Sequence, residues 1–127
     1  MSTTRPTSVG CMTCAQESCL ETAPPWQRIA LDDDWRVAHC FDTTLPGWLV
    51  LLPRRHVLAI AELNDREASS LGSWQVRVSR ALHAVTGCAK TYVAQFAEAD
   101  GFEHVHFHVV ARMPGLAPRL RGPGVSA

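Results

Sequence analysis

The chain's 127 residues are enough for one domain with a single core and too few for two. With 46% hydrophobic and 19% charged residues it reads as globular rather than disordered. Its 12 basic residues balance its 12 acidic ones, which removes any bulk electrostatic case for nucleic acid or an anionic membrane.

Residues 1–10 carry no apolar stretch of the kind a secretory leader needs and are expected to be a disordered tail. Five cysteines (Cys11, Cys14, Cys19, Cys40 and Cys88) are an odd number for a disulfide framework. Without an export signal they point to a reducing compartment, so a cytoplasmic location is expected. There, Cys11-Met12-Thr13-Cys14 reads as half of a metal site or as a pair of free thiols, and Cys40 and Cys88 as buried small residues. Residues 11–25 are expected to be irregular, ending in Pro24-Pro25. A short strand at Arg28 to Leu31, a solvated Asp32-Asp33-Asp34 turn and an alternating strand at Trp35 to Phe41 form a predicted hairpin. The Pro and Gly chemistry of Asp42 to Gly47 marks a turn. Trp48 to Leu52 is an apolar run of strand length, ended by Pro53 and far too short to cross a bilayer.

One long helix is well marked. Asn64 can cap its start, with Glu67 three residues on as in a capping box. Leu71, Trp74, Val78, Leu82 and Val85 recur at helical spacing as a core stripe, and Gly87 suits the C-terminal cap. Two more strands, about Thr91 to Phe96 and Val105 to Arg112, complete a set of five, and residues 113–127 read as an irregular tail. Strands, one long helix, then strands predict an α+β fold with a mainly antiparallel sheet.

Three of the six histidines stand at 104, 106 and 108, with Val105, Phe107, Val109 and Val110 between and after them. On a strand the three imidazoles share a face while the interleaved apolar residues enter the core. At ~3.3 Å per residue, His104 and His108 lie roughly 13 Å apart, far enough to serve different neighbours. Three readings follow: a polar strand face, a metal site on the strand itself, or phosphate chemistry. In the last, one imidazole attacks phosphorus and its neighbours steady the oxyanions.

His104-Val105-His106-Phe107-His108-Val109-Val110 is similar to the signature of the histidine-triad (HIT) family, His-φ-His-φ-His-φ-φ with φ apolar. Gly47-Trp48-Leu49-Val50-Leu51-Leu52-Pro53-Arg54-Arg55-His56 resembles the family's Gly-His-x-Leu-Val-x-Pro-Lys-x-His strand, and a long helix stands between the two motifs, as in the family. The resemblance spans residues 11–112, which are expected to be one HIT domain. It implies a purine nucleotide with its α-phosphate over the triad, a nucleotidyl-histidine intermediate on His106, and His108 hydrogen-bonded to phosphate oxygens or the departing group. The implied substrates are nucleoside phosphoramidates or dinucleoside polyphosphates. By the same resemblance, Gly101 and Phe102 would offer main-chain N–H groups to phosphate, Asp42 a carboxylate to the ribose, and Gln95 an amide in place of an upstream asparagine. Homodimerisation is a further implication.

Bacterial relatives with an N-terminal Cys-x-x-Cys, and the related uridylyltransferases, bind zinc. Carried over, the ligands are Cys11, Cys14, His56 and His104, a neutral closed set that would be structural. The chain departs from the pattern at Trp48, where many relatives have a histidine and where a polar contact is therefore expected to be lost. It departs again at Ala99-Asp100, where Gly-Gln is common. Two competing functions share these motifs: a non-catalytic nucleotide-binding regulatory module that keeps the structural zinc, and a metal-dependent hydrolase with the triad itself on the ion.

Overall fold

A computed structural model describes residues 10–40 and 47–122. A short helix, α1 (Met12–Ser18), precedes strands β1 (Ala30–Leu31), β2 (Trp35–His39) and β3 (Trp48–Pro53). The long helix α2 (Asp65–Thr86) follows, and β4 (Lys90–Gln95) and β5 (Phe107–Arg112) complete the sheet. All pairings are antiparallel and the order is β1-β2-β3-β5-β4, so β5 lies inside the sheet, between β3 and β4. The α+β architecture with five strands is as expected.

The core lies between one sheet face and α2. Trp35, Val37, Leu51, Phe107 and Val109 from the sheet meet Trp74, Val78 and Leu82 of the helix. The period of two in the strands and the helical period in α2 bring these residues together. Asn64 and Glu67 cap α2 reciprocally, the Glu67 N–H donating to Asn64 Oδ1 (2.8 Å) and the Asn64 N–H to Glu67 Oε1 (2.9 Å). Gly87 ends the helix in the left-handed region at φ 67°. Val85 departs from the expected stripe: it is 84% exposed, and in the last turn it is Thr86 that approaches the sheet, at Gly47.

Residues 11–25 are not irregular throughout. Cys11 caps α1, its Sγ accepting from the Cys14 N–H at 3.4 Å. Single 3-10 turns follow at Leu20–Thr22 and Pro25–Gln27. Glu17 of α1 bridges Arg54 and the fully buried Arg36 of β2 (Nε to Glu17 Oε2, 3.0 Å), which pins the helix to the face opposite α2. The Asp32-Asp33-Asp34 run is structured as well as solvated: Asp32 accepts from the Asp34 and Trp35 N–H groups and from Trp74 Nε1. At the entry to β3, Gly47 has φ +76°, and a Cβ there would stand 2.9 Å from that of Ala111. Among the described residues no helix is long and apolar enough to cross a membrane.

Candidate active site and metal centre

The burial pattern around the triad follows the predicted alternation. Val105, Phe107 and Val109 are in the core, and His106 and His108 are half-buried on the other face. Regular pairing begins only at Phe107, so His104 and His106 precede the strand rather than lie in it. The segment is still tied to its neighbour by the Val105 N–H, which donates to Val57 O at 2.7 Å.

His104 is fully buried and belongs to a separate cluster. Its Nδ1 lies 3.7 Å from Cys11 Sγ, 3.6 Å from Cys14 Sγ and 3.3 Å from His56 Nδ1. Cys14 Sγ is 3.2 Å from His56 Nδ1, and all four donor atoms lie within 4.8 Å of one another. Sulfur at about 2.3 Å and nitrogen at about 2.0 Å from a tetrahedral ion stand roughly 3.3–3.8 Å apart, so these spacings suit zinc. The tautomer suits it too. His104 Nε2 sits 2.7 Å from Pro53 O, an acceptor only, so it carries the proton and leaves the Nδ1 lone pair facing the thiols. Burial, then the nearby His56, His106 and Arg36, lowers the His104 pKa to about 4 against the bond to Pro53. Burial, then Cys11 and Glu17, raises that of Cys14 to about 12, so the imidazole stays neutral and thiolate is disfavoured. A divalent cation would stabilise the thiolate. The four residues are thus a zinc site by donor type and spacing. Cys19 is exposed and outside the cluster, and Cys88 is buried as expected, whereas Cys40 is only half-buried and lines the neighbouring cavity.

His106 and His108 open onto a cavity of about 330 Å³. Its walls are largely apolar: Ala38, Val50 and Leu52 from the sheet, Trp48 at the start of β3, Trp26 from the 3-10 turn Pro25–Gln27, and Phe102 from a loop. Thr13 and Gln16 of α1 add polar groups, so the helix that supplies Cys14 to the metal cluster also walls this cavity. His106 Nδ1 is 2.7 Å from the carbonyl of His104, so Nδ1 holds the proton and Nε2 holds the lone pair. The His106 and His108 rings meet edge to face, 4.8 Å between centroids at 80°. Trp48 Nε1–H donates to His108 Nδ1 at 2.9 Å, so the polar contact expected to be lost at position 48 is supplied by the indole instead. Burial, then the neighbouring His106, lowers the His108 pKa to about 4.

Several expectations change. Gln95 pairs with Phe107 in the sheet and so shares the α2 face, whereas Ala94 stands opposite His108. Gln95 is therefore not brought to the cavity, because a strand's period of two puts adjacent residues on opposite faces. The Phe102 N–H already donates to Ala99 O at 2.9 Å, so it is spent within a turn rather than directed at phosphate, although the residue lines the cavity. Gly101, at φ +81°, accepts from the Met12 N–H through its carbonyl (2.8 Å) and ties the loop to α1. Asp42, expected to hold the ribose, lies outside the described residues. Asp100 is exposed and does not line the cavity. His106 is not a member of the metal cluster, which removes the geometric basis for a triad chelating one ion.

The sequence reading did not single out Thr13, Gln16, Trp26, Val50 or Leu52 as site residues. Val50 and Leu52 alternate with the core residue Leu51, a signal that a two-sided reading of the β3 run would have used. The α1 pair had no such signal, because the helix itself was not foreseen.

No protein-family model matches the sequence, and none of the curated proteins compared with it does either. Solved structures do. A histidine triad protein from Bradyrhizobium japonicum is 31% identical over 76% of this chain and 70% of that one, with a TM-score of 0.63. A zinc-bound histidine triad family protein from Mycobacterium smegmatis is similar in fold (TM-score 0.69, 22% identity, 87% of this chain and 80% of that one). So is a hypothetical protein from Leishmania major (TM-score 0.72, 19% identity, 87% and 78%). With the triad, the Pro-Arg-Arg-His stretch and the five-stranded fold in place, the chain belongs to the histidine triad family.

Proposed function

We propose that this chain is a nucleotidyl hydrolase or transferase that binds a purine nucleotide derivative in the cavity and attacks its α-phosphate with His106. The observation that carries this reading is the His106 Nδ1–H bond to the His104 carbonyl, which places the ring's Nδ1 proton away from the cavity and leaves Nε2 as the nucleophilic nitrogen beside His108. Fixing a nucleophile's tautomer through its second nitrogen is how an imidazole is aimed without ionising it.

The transfer balances in two displacements. His106 Nε2 forms a bond to phosphorus, and the bond from phosphorus to the departing nitrogen or oxygen breaks with its electron pair, that atom taking a proton from solvent. A water oxygen, or another acceptor, then bonds phosphorus, the electron pair of the phosphorus–nitrogen bond returns to Nε2, and the acceptor's proton leaves to solvent. His108 hydrogen-bonds the phosphoryl oxygens or the departing group throughout. The apolar walls suit a nucleobase and exclude water from the reacting atoms.

The closed set of Cys11, Cys14, His56 and His104 would hold zinc as a structural tie, joining α1 to the sheet and so shaping one wall of the cavity. The metal bound by the Mycobacterium smegmatis protein supports that reading.

Incubation with an adenosine phosphoramidate, followed by acid-quenched mass analysis, should trap a nucleotidyl group on His106. His106→Asn should abolish labelling with the fold near native. Full labelling of that variant, or nucleotide binding by the unmutated chain with no turnover at all, would overturn the proposal.

A further inference from the structure

Trp48 does more at the mouth of β3 than fill space. Its register partner is Val110, and Val50 pairs with His108, so Trp48 and His108 are diagonal neighbours on the cavity face of adjacent strands. The indole and imidazole rings meet edge to face, 5.7 Å between centroids at 82°. The indole N–H can only donate, so at 2.9 Å the His108 Nδ1 must accept. We infer that Trp48 is a positioning residue that locks His108 in the neutral Nε2–H tautomer, so that His108 serves the phosphoryl group as a hydrogen-bond donor and not as a proton-transfer group.

This deepens the nucleotidyl-transfer reading and rests on it. The consequence is specific. With Nδ1 occupied by the indole, loss of the Nε2 proton would leave an imidazolate, so the departing atom must take its proton from water or already hold it. His106 and His108 then carry opposite tautomers: His106 is protonated at Nδ1 by its bond to the His104 carbonyl, and His108 at Nε2 by its bond from Trp48. Two chemically identical rings 4.8 Å apart thereby present a lone pair and a donor to one phosphate.

The test is nitrogen-15 NMR of the histidine rings in the metal-loaded full chain, with Trp48→Phe as the variant. In the unmutated protein His108 should appear as a single neutral Nε2–H tautomer with a hydrogen-bonded Nδ1. In Trp48→Phe it should become a tautomer mixture, while His106 keeps its Nδ1–H signal, the internal sign that the site is still folded. The kcat/KM for a phosphoramidate should fall by roughly three- to ten-fold, the worth of one hydrogen bond. An Nδ1–H tautomer at His108, an unmixed tautomer in the variant, or a mixed one with unchanged kcat/KM would each overturn the inference. The ring spectra need no substrate, and nucleotidyl labelling is read on the unmutated chain without them, so failure here and failure of nucleotidyl transfer are separate results.

Discussion

His104 and His106 are two residues apart and end in opposite environments. His104 is fully buried among two thiols and another imidazole, with Nε2 tied to Pro53 and Nδ1 turned into a closed cluster. His106 is half-buried beside His108, with Nδ1 tied to the His104 carbonyl and Nε2 left over at an apolar cavity. The intrinsic side-chain chemistry is the same. What differs is which ring nitrogen meets a backbone carbonyl and whether the other meets sulfur or open space. A histidine's role is therefore set by its hydrogen-bonded neighbour more than by its place in a motif. Helix α1 joins the two environments, sending Cys14 to one and Thr13 and Gln16 to the other.

The sharpest way to break this comparison is a pair of substitutions, one at each end. His106→Asn should lower turnover by roughly a thousand-fold or more, the usual cost of removing a nucleophile, while zinc stays near one per chain by atomic absorption. Cys14→Ser should do the converse: zinc well below one per chain, and a fall in melting temperature of roughly 10 °C or more as the ion's contribution to folding is lost. If His106→Asn sheds its metal, or Cys14→Ser keeps it with an unchanged melting temperature, the two ends are not separate sites.

Much of this division was readable from residue spacing, and the metal donors from the family resemblance. The Asn64–Glu67 capping box, the Gly87 cap and the four metal donors all fall where sequence reasoning puts them, because each is carried by a short-range pattern or a specific motif. Helix α1 was not legible. It has seven residues, a sulfur as its N-cap acceptor and Thr13 as its only buried side chain, so it lacks an apolar stripe. What holds it is tertiary: Glu17 between Arg36 and Arg54, and the two cysteines beside His56 and His104. The Trp48–His108 bond was hidden for a related reason, since diagonal contacts depend on a register that neither strand specifies alone. Gln95, expected in place of the family's asparagine, falls on the α2 face because a one-residue difference along a strand reverses the side chain.

A smaller effect sharpens the contrast from the open end. Burial, then His106, brings the His108 pKa from 6.5 down to about 4 in the folded chain. Above pH 6.5 the ring is neutral in both the folded and unfolded states. As pH falls from about 6.5 to about 4, the unfolded chain takes a proton that the folded chain refuses, so stability declines across that window and this decline levels off below it. Denaturant titrations of the unmutated chain and His108→Gln over that range should show a shallower acid arm in the variant. Equal slopes would mean that His108 titrates alike in both states, contrary to its half-buried place behind Trp48.

The smallest effect should come from the loop that leads out of β4 toward the triad. Ala97 has φ 59° and is 8% exposed, which puts a side chain in the left-handed region where an L-residue loses about 1–2 kcal/mol. At an ordinary buried position glycine would be the worse choice, by its entropy and its missing methyl, and valine the tolerable one. At Ala97 the order should reverse. Ala97→Gly recovers the strain and gives up a comparable amount, leaving the melting temperature within about 3 °C, whereas the β-branched Ala97→Val should lower it by more. Thermal scans of the two variants decide the matter, and a valine variant more stable than the glycine one would refute it. The reversal would place stored backbone strain on the loop that delivers Phe102 to the cavity, and that loop serves the open end of the histidine pair rather than the closed one.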